Sequence, residues 1–248
     1  MVGPAETTPL GFTNPNVQRL RRLLGRRSSR TDERAFVVEG ATLIAEAVAA
    51  GWQVTAEFVA PGAQPVSPAP AHELAEGVLE RVATTERPQP NLAVLAMPEP
   101  AVLAGEFVVV ADQLGDPGNL GTILRSAEAA GADAVVLTPG SVDPFNPKVV
   151  RASAGALFHV PVVATALDAV RSAGYRLVGT SSHQGTRHTD ADWSGRIGLV
   201  LGNEAHGLPD DAPVDAWVRI EHRGRAESLN VAMAATVLLF EAARARRR

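Results

Sequence analysis

Apolar positions along this chain recur in two alternating rhythms. Val17, Leu20, Leu23 and Leu24 fall at helical spacing and give a basic helix over residues 17–24 one apolar face. Residues 35–38 form a short continuous apolar run, as a strand does, and residues 40–50 return to helical spacing through Leu43, Ile44, Ala47 and Val48. A second strand is predicted over 54–59, a proline-rich loop over 61–70, a helix over 71–80 and a third strand over 92–97. This alternation predicts a small α/β domain spanning residues 14–98. Residues 1–13, rich in proline, threonine and glycine, read as a disordered tail, and Pro98-Glu-Pro-Ala101 as a linker.

Beyond the linker, Glu106-Phe-Val-Val-Val-Ala111 is apolar almost without a break, the pattern of a strand buried on both faces. Helices are predicted over 120–130, 147–155, 166–173 and 230–246, and strands over 134–137, 159–163, 176–179, 197–201 and 216–220. Strands alternating with helices through short turns predict a parallel sheet with helices on both faces, over residues 104–248.

Composition narrows the chemistry. Apolar residues make up 46% of the 248 and charged residues 20%, as in ordinary globular domains. There is no cysteine, which excludes disulfides and thiolate metal sites; with no His-Glu-x-x-His cluster either, no metal is expected. The N-terminus lacks a basic segment followed by an apolar core, and no apolar run reaches the roughly 18–20 residues that span a membrane. A cytoplasmic protein with no membrane partner is expected. The net charge of −4 argues against a nucleic-acid partner until its distribution is considered. Between residues 16 and 34, Arg19, Arg21, Arg22, Arg26, Arg27, Arg30 and Arg34 stand against Asp32 and Glu33, a local balance of +5. Such a patch on a near-neutral body is enough to hold a phosphate backbone. Lys148 is the only lysine, a bias that suits forked contacts to phosphate but also follows from GC-rich coding.

Three stretches carry glycines beside polar side chains where a strand meets a turn: Asp112-Gln-Leu-Gly-Asp-Pro-Gly-Asn-Leu-Gly-Thr-Ile-Leu-Arg125, Leu199-Val-Leu-Gly-Asn-Glu-Ala-His-Gly-Leu208 and Arg225-Ala-Glu-Ser-Leu-Asn-Val231. Ligand groups gather at such places in open α/β sheets. Each also has a purely structural explanation: Gly115, Pro117 and Gly118 allow a turn, and Asn119 and Ser228 are good helix N-caps. The glycine spacing matches neither a dinucleotide fingerprint nor a phosphate-binding loop, so a nucleotide-dependent oxidoreductase is disfavoured.

Taken together, in this order and spacing, the three stretches resemble the SpoU/TrmH branch of the SPOUT RNA methyltransferases. The resemblance covers residues 104–248 strongly, and residues 14–97 more weakly through Asn14-Pro-Asn-Val-Gln-Arg-Leu and Phe36-Val-Val-Glu-Gly40. It implies a SPOUT-type parallel sheet tied in a trefoil knot, an N-terminal substrate-binding domain, a homodimer, and 2′-O-methylation of RNA ribose by S-adenosylmethionine. Ribosomal RNA of the large subunit is favoured over transfer RNA; a catalytically silent RNA-binding member is the alternative. The residues matching the family's catalytic positions are Asn119, Arg125, Glu204, Ser228 and Asn230. Those matching its donor pocket are Thr180, Leu201, Gly202, Asn203, Gly207, Ile220, Ser228 and Leu229. Arg19, Arg22, Arg26, Arg27, Lys148 and Arg151 are expected at the RNA. An arginine, whose pKa exceeds about 12, is a poor proton acceptor, so Arg125 is expected to position the ribose rather than to act as base.

Overall fold

The computed structural model describes residues 8–247, which divide into two compact units. One comprises the chain up to Glu99 with Phe145–Arg151; the other comprises Pro100–Pro144 and the chain from Ala152 onward.

In the first unit, α1 (Pro15–Gly25) begins where the Asn14 side chain accepts from the Asn16 amide at 2.9 Å and Pro15 supplies a helical φ. Val17, Leu20, Leu23 and Leu24 are buried, as their spacing predicts. A short helix that the apolar pattern does not predict follows at once, α2 (Arg27–Glu33). Its buried Arg30 donates to the carbonyls of Leu23 and Leu24 at 2.8 and 3.4 Å, closing the C-terminal end of α1. Then come β1 (Ala35–Glu39), α3 (Ala41–Ala49), β2 (Val54–Val59), β3 (Ala71–Glu73), α4 (Val78–Val82) and β4 (Asn91–Ala96). The sheet order is β1-β4-β2-β3, with β4 antiparallel to β1 and β2, and β3 parallel to β2.

Residues 71–80 therefore form a strand and a helical turn, not the single helix expected. The sheet decides this. The Glu57 amide donates to Pro70 at 2.9 Å and the Leu74 amide to Val59 at 2.8 Å on one edge. On the other, the Leu10 amide donates to Glu73 at 2.7 Å and the Ala75 amide to Leu10 at 3.0 Å. Pairing on both edges satisfies backbone groups that a lone exposed helix would leave to water. Leu10, expected in a disordered tail, is thus tied to this sheet; residues 1–7 of that tail lie outside the described residues. The aromatic ring of Phe145 packs 4.8 Å from that of Phe36, placing this segment with the first unit.

The second unit contains β5 (Phe107–Ala111), α5 (Pro117–Ala130), β6 (Ala134–Leu137), the end of α6 (Pro147–Ser153), β7 (Val162–Ala164), α7 (Leu167–Ser172), β8 (Arg176–Ser181), β9 (Thr186–Arg187), β10 (Ile197–Leu201), β11 (Ala216–Arg219) and α8 (Val231–Arg246). Its seven strands are all parallel, in the order β7-β6-β5-β10-β8-β11-β9. Every residue of β5, β6 and β10 is buried, which explains their unbroken apolar runs. Val108, Val110, Val136, Leu177 and Val200 cluster with Val170 of α7 on one face, while the residues between them point to the other. The expected strand over 159–163 starts only at Val162, because Pro161 lends its carbonyl to Val135 but has no N–H to pair. A Cβ on Gly121 would strike Ala152, so α5 and the end of α6 approach at a distance that glycine alone permits. Among the described residues, no helix is long and apolar enough to cross a membrane.

Candidate active site

β5 and β10 are neighbours in register, with Leu201 opposite Ala111, and β8 lies on the far side of β10 with Gly179 opposite Val200. The loops leaving the carboxyl ends of these strands therefore emerge side by side. This is where an open parallel sheet offers a crevice.

Two helices start there, and their caps differ from those expected. Asp116, not Asn119, caps α5, accepting from the Asn119 amide at 2.8 Å; Asn230, not Ser228, caps α8, accepting from Ala232 at 2.9 Å and Met233 at 3.3 Å. Asn119 is thereby released from capping. Its Nδ2 donates to Glu204 Oε1 at 3.2 Å, and its Oδ1 accepts from Asn230 Nδ2 at 3.0 Å. One residue from each of the three stretches thus meets in a single hydrogen-bonded chain. The positive ends of two long helices face the same point.

Glu204 fastens the second stretch to the first. Its carboxylate accepts from the amides of Gly115 at 3.1 Å and Asp116 at 2.7 Å. Burial raises its pKa, but hydrogen bonds from the backbone of Asp116, Gly115 and Glu204 itself, and from Asn119, outweigh that and hold it below the ordinary 4.5. Asn203 ties the same loop a second time, donating to the Gln113 carbonyl at 2.9 Å. Gln113 sits at φ +53, held by its amide on Thr138 Oγ1 at 2.9 Å, which in turn donates to Asp112 at 2.7 Å.

Beside this junction lies a cavity of about 520 Å³, within the range that encloses a small organic ligand. Thr180, Leu201, Gly202, Asn203, Gly207, Ile220, Ser228 and Leu229 all line it, together with Glu204 and Asn230. A Cβ on Gly202 would overlap the backbone of Gly207 and Leu208, so only glycine lets the loop fold back on itself there. Leu201, Val218, Ile220 and Leu238 offer an apolar wall for a flat heterocycle. Exposed main chain of the loop offers hydrogen bonds, and Glu204, Asp210 and Glu227 offer negative charge to a cationic ligand. The donor set suits S-adenosylmethionine.

Other expected residues lie apart from this junction. Arg125 is exposed on α5 and forms no hydrogen bond or ion pair among the described residues. Arg19 is held by Glu33 at 2.6 Å, and Arg22 lies 3.9 Å from the same carboxylate. Arg151 pairs with Glu39 at 3.3 Å, while Arg26, Arg27 and Lys148 are exposed. Ser181, Ser182, His183 and His222 also line the cavity and were not singled out in the sequence. The polar run that begins as β8 ends carried the signal of the first three, and the polar loop after β11 that of His222.

Residues 106–240 match the SpoU rRNA Methylase family, and residues 14–93 match the MRM3-like substrate binding domain. The chain is 35% identical to the 23S rRNA (guanosine(2553)-2′-O)-methyltransferase RlmP of Bacillus subtilis, over 86% of this chain and 90% of that protein. It is 34% identical to the 23S rRNA (uridine(2479)-2′-O)-methyltransferase of Streptomyces viridochromogenes, over 94% and 91% respectively. The crystal structure of the SpoU methyltransferase AviRb from Streptomyces viridochromogenes with AdoMet superposes with a TM-score of 0.84 at 32% identity, covering 94% of this chain and 98% of that one. An AdoMet-bound rRNA methyltransferase from Sinorhizobium meliloti gives 0.83 at 32% identity, covering 94% and 95%. Sequence, seven-stranded parallel sheet and junction of three loops agree, and this chain belongs to the SpoU rRNA methylase family.

Proposed function

We propose that this protein methylates a ribose 2′-hydroxyl of 23S ribosomal RNA in the cytoplasm, using S-adenosylmethionine. The observation that carries the reading is the hydrogen-bonded chain Glu204–Asn119–Asn230 at the edge of a cavity lined by all eight residues expected around the donor. Bound in that cavity, S-adenosylmethionine supplies a methyl group on a sulfonium, a leaving group that needs no acid or metal assistance.

The chain's own residues then have to align and orient. Leu201, Ile220 and Leu229 enclose the adenosyl part, and the main chain around Gly202 and Gly207 holds its polar edges. Asn230 and Ser228 stand where the nucleophile must approach. Asn119 fixes Asn230 from one side and Glu204 fixes Asn119 from the other, so the amides are oriented before RNA arrives. Glu204, with its lowered pKa and its oxygens already accepting bonds, is a weak base and serves to hold the loops together. Arg125, exposed and unpaired among the described residues, is free to fork onto the phosphate beside the target ribose.

The reading includes a homodimer and the family's trefoil knot. A stripe on α8 supports the dimer: Met233, Val237 and Phe240 are 63%, 41% and 50% exposed at a spacing of four and three residues, although large apolar side chains. The small residues Ala232 and Ala235 of the same helix are buried within the subunit.

The deciding experiment incubates the purified protein with a 23S rRNA transcript and methyl-labelled S-adenosylmethionine, and maps ribose methylation by mass spectrometry. One new 2′-O-methyl nucleotide is expected. Donor binding without methyl transfer to 23S or transfer RNA would instead establish the silent RNA-binding alternative.

A further inference from the structure

A second cavity, of about 540 Å³, opens in the first unit between α1 and α4, far from the three stretches in sequence. Arg21 and Arg22 line it from α1, Arg26 from the residue that ends that helix, and Arg81 from the end of α4. Phe12 sets the position of two of them. Its ring lies 3.7 Å from the guanidinium carbon of Arg81 and 5.6 Å from that of Arg21. Gln18 donates to the Phe12 carbonyl at 2.6 Å and keeps that ring in place.

Three of the four charges in this cleft are left without counter-ions. The side chains of Arg21, Arg26 and Arg81 are exposed and form no hydrogen bond or ion pair among the described residues, and that of Arg22 reaches Glu33 at 3.9 Å. The carbonyl end of α1, which would repel an anion, is occupied by the buried guanidinium of Arg30. Four like charges around one concave site repel one another, and a polyanion relieves that repulsion. The other arginines of the basic cluster lack this property: Arg19, for example, is neutralised by Glu33.

We infer that this cleft grips consecutive phosphates of the RNA substrate in a non-helical stretch, with Arg81 as a platform on which a base stacks. A concave site lined with forked cations suits a single strand, whose backbone enters and whose bases splay outward. The choice of RNA as the polyanion rests on the proposed activity; the cleft itself does not. Arg81 and Phe12 are contacts that the sequence alone did not single out, because both lie outside the basic cluster over residues 16–34.

The test uses the full chain, a short fluorescein-labelled single-stranded RNA of mixed sequence, and labelled poly-glutamate. Arg21→Gln/Arg26→Gln/Arg81→Gln is expected to bind the RNA about 10–100-fold more weakly at low salt. The slope of log affinity against log salt should become shallower by about 2, since each phosphate contact in a single strand contributes roughly 0.7. Arg171→Gln, on the second unit, is the control and should leave both unchanged. All substituted side chains are exposed, and a melting curve checks folding; Arg81→Gln alone, expected to remove about a third of the slope change, covers a triple variant that fails to fold. Calorimetric affinity for S-adenosylmethionine should stay at the wild-type value in every variant. If wild-type protein methylates 23S rRNA and the triple variant binds RNA with wild-type affinity and slope, the cleft assignment is overturned and the activity stands. If no methylation occurs but salt-dependent RNA binding collapses in the triple variant, the activity falls and the cleft stands. Tighter binding of poly-glutamate than of RNA would overturn RNA as the ligand.

Discussion

Arg125 poses the sharpest question at the scale of single residues. It is one of five residues matching the catalytic positions, yet it stands outside the hydrogen-bonded chain that Asn119, Glu204 and Asn230 form. Its guanidinium is charged at any working pH, so its value lies in fork geometry rather than proton transfer. Arg125→Lys keeps the charge and loses the fork. Methyl transfer by this variant is expected to fall about 100-fold or more, with affinity for S-adenosylmethionine unchanged. Activity close to wild type would show that a point charge suffices. Asn119 illustrates the opposite outcome, because it was expected both as an N-cap and at the catalytic pocket. The structure separates these duties by giving the cap to Asp116, which leaves both ends of the Asn119 amide for the site.

At the scale of elements, two buried features hold loops that have little else to hold them. Gly202 turns the end of β10 back so closely that Gly207 and Leu208 occupy the space of a side chain. Gly202→Ala must push residues 203–208 outward. The expected result is at least about a tenfold loss in S-adenosylmethionine affinity by calorimetry, with a small change in melting temperature. In the first unit, Glu57 on β2 is fully buried and gathers the proline-rich loop by accepting from Val66, Ser67 and Asn91. Burial raises its pKa, but hydrogen bonds from Ser67 and Asn91 and from the Val66 and Ser67 amides outweigh it and leave it below the ordinary 4.5. A lowered folded pKa stabilises fully above that ordinary value, and the contribution disappears as pH falls below it. Glu57→Gln should therefore lose roughly 1–3 kcal/mol at neutral pH. Denaturant midpoints of variant and wild type should converge as the pH is lowered below 4.5. A gap that stays constant to acid pH would mean that the charge is immaterial.

For the whole molecule, the exposed stripe on α8 is where the proposed dimer can be tested. Met233, Val237 and Phe240 present apolar surface along the same helix whose N-cap, Asn230, belongs to the site. A partner subunit covering that stripe would order the start of α8 and, with it, Asn230. If the proposed dimer forms through this stripe, Phe240→Asp should turn it into a monomer by light scattering and lower methyl transfer at least about tenfold. Unchanged mass would remove the stripe from the interface. The two units also divide the chemistry: the junction of loops and its cavity lie wholly in the second, and the arginine-lined cleft lies wholly in the first.

Much of this was legible in one dimension because the signals are local. Continuous apolar runs marked β5, β6 and β10, since strands buried on both faces leave no polar alternation. Glycines beside Asn, Glu and Ser at strand ends marked the three loops, and their order carried the resemblance to the family. Less was legible where a neighbour decides. β3 is only three residues long and exists because Leu10 and β2 pair with its two edges, so its own residues read as a helix. α2 has one buried residue, an arginine, and therefore no apolar face to announce it. The residue types at the site were thus written in the sequence by itself, as was the α/β class. Only the tertiary structure decided which of them touch, which asparagine caps and which is freed, and which arginines are left without a counter-charge, because hydrogen-bond partners and ion pairs are fixed by distances between segments as far as 111 residues apart and not by spacing along the chain.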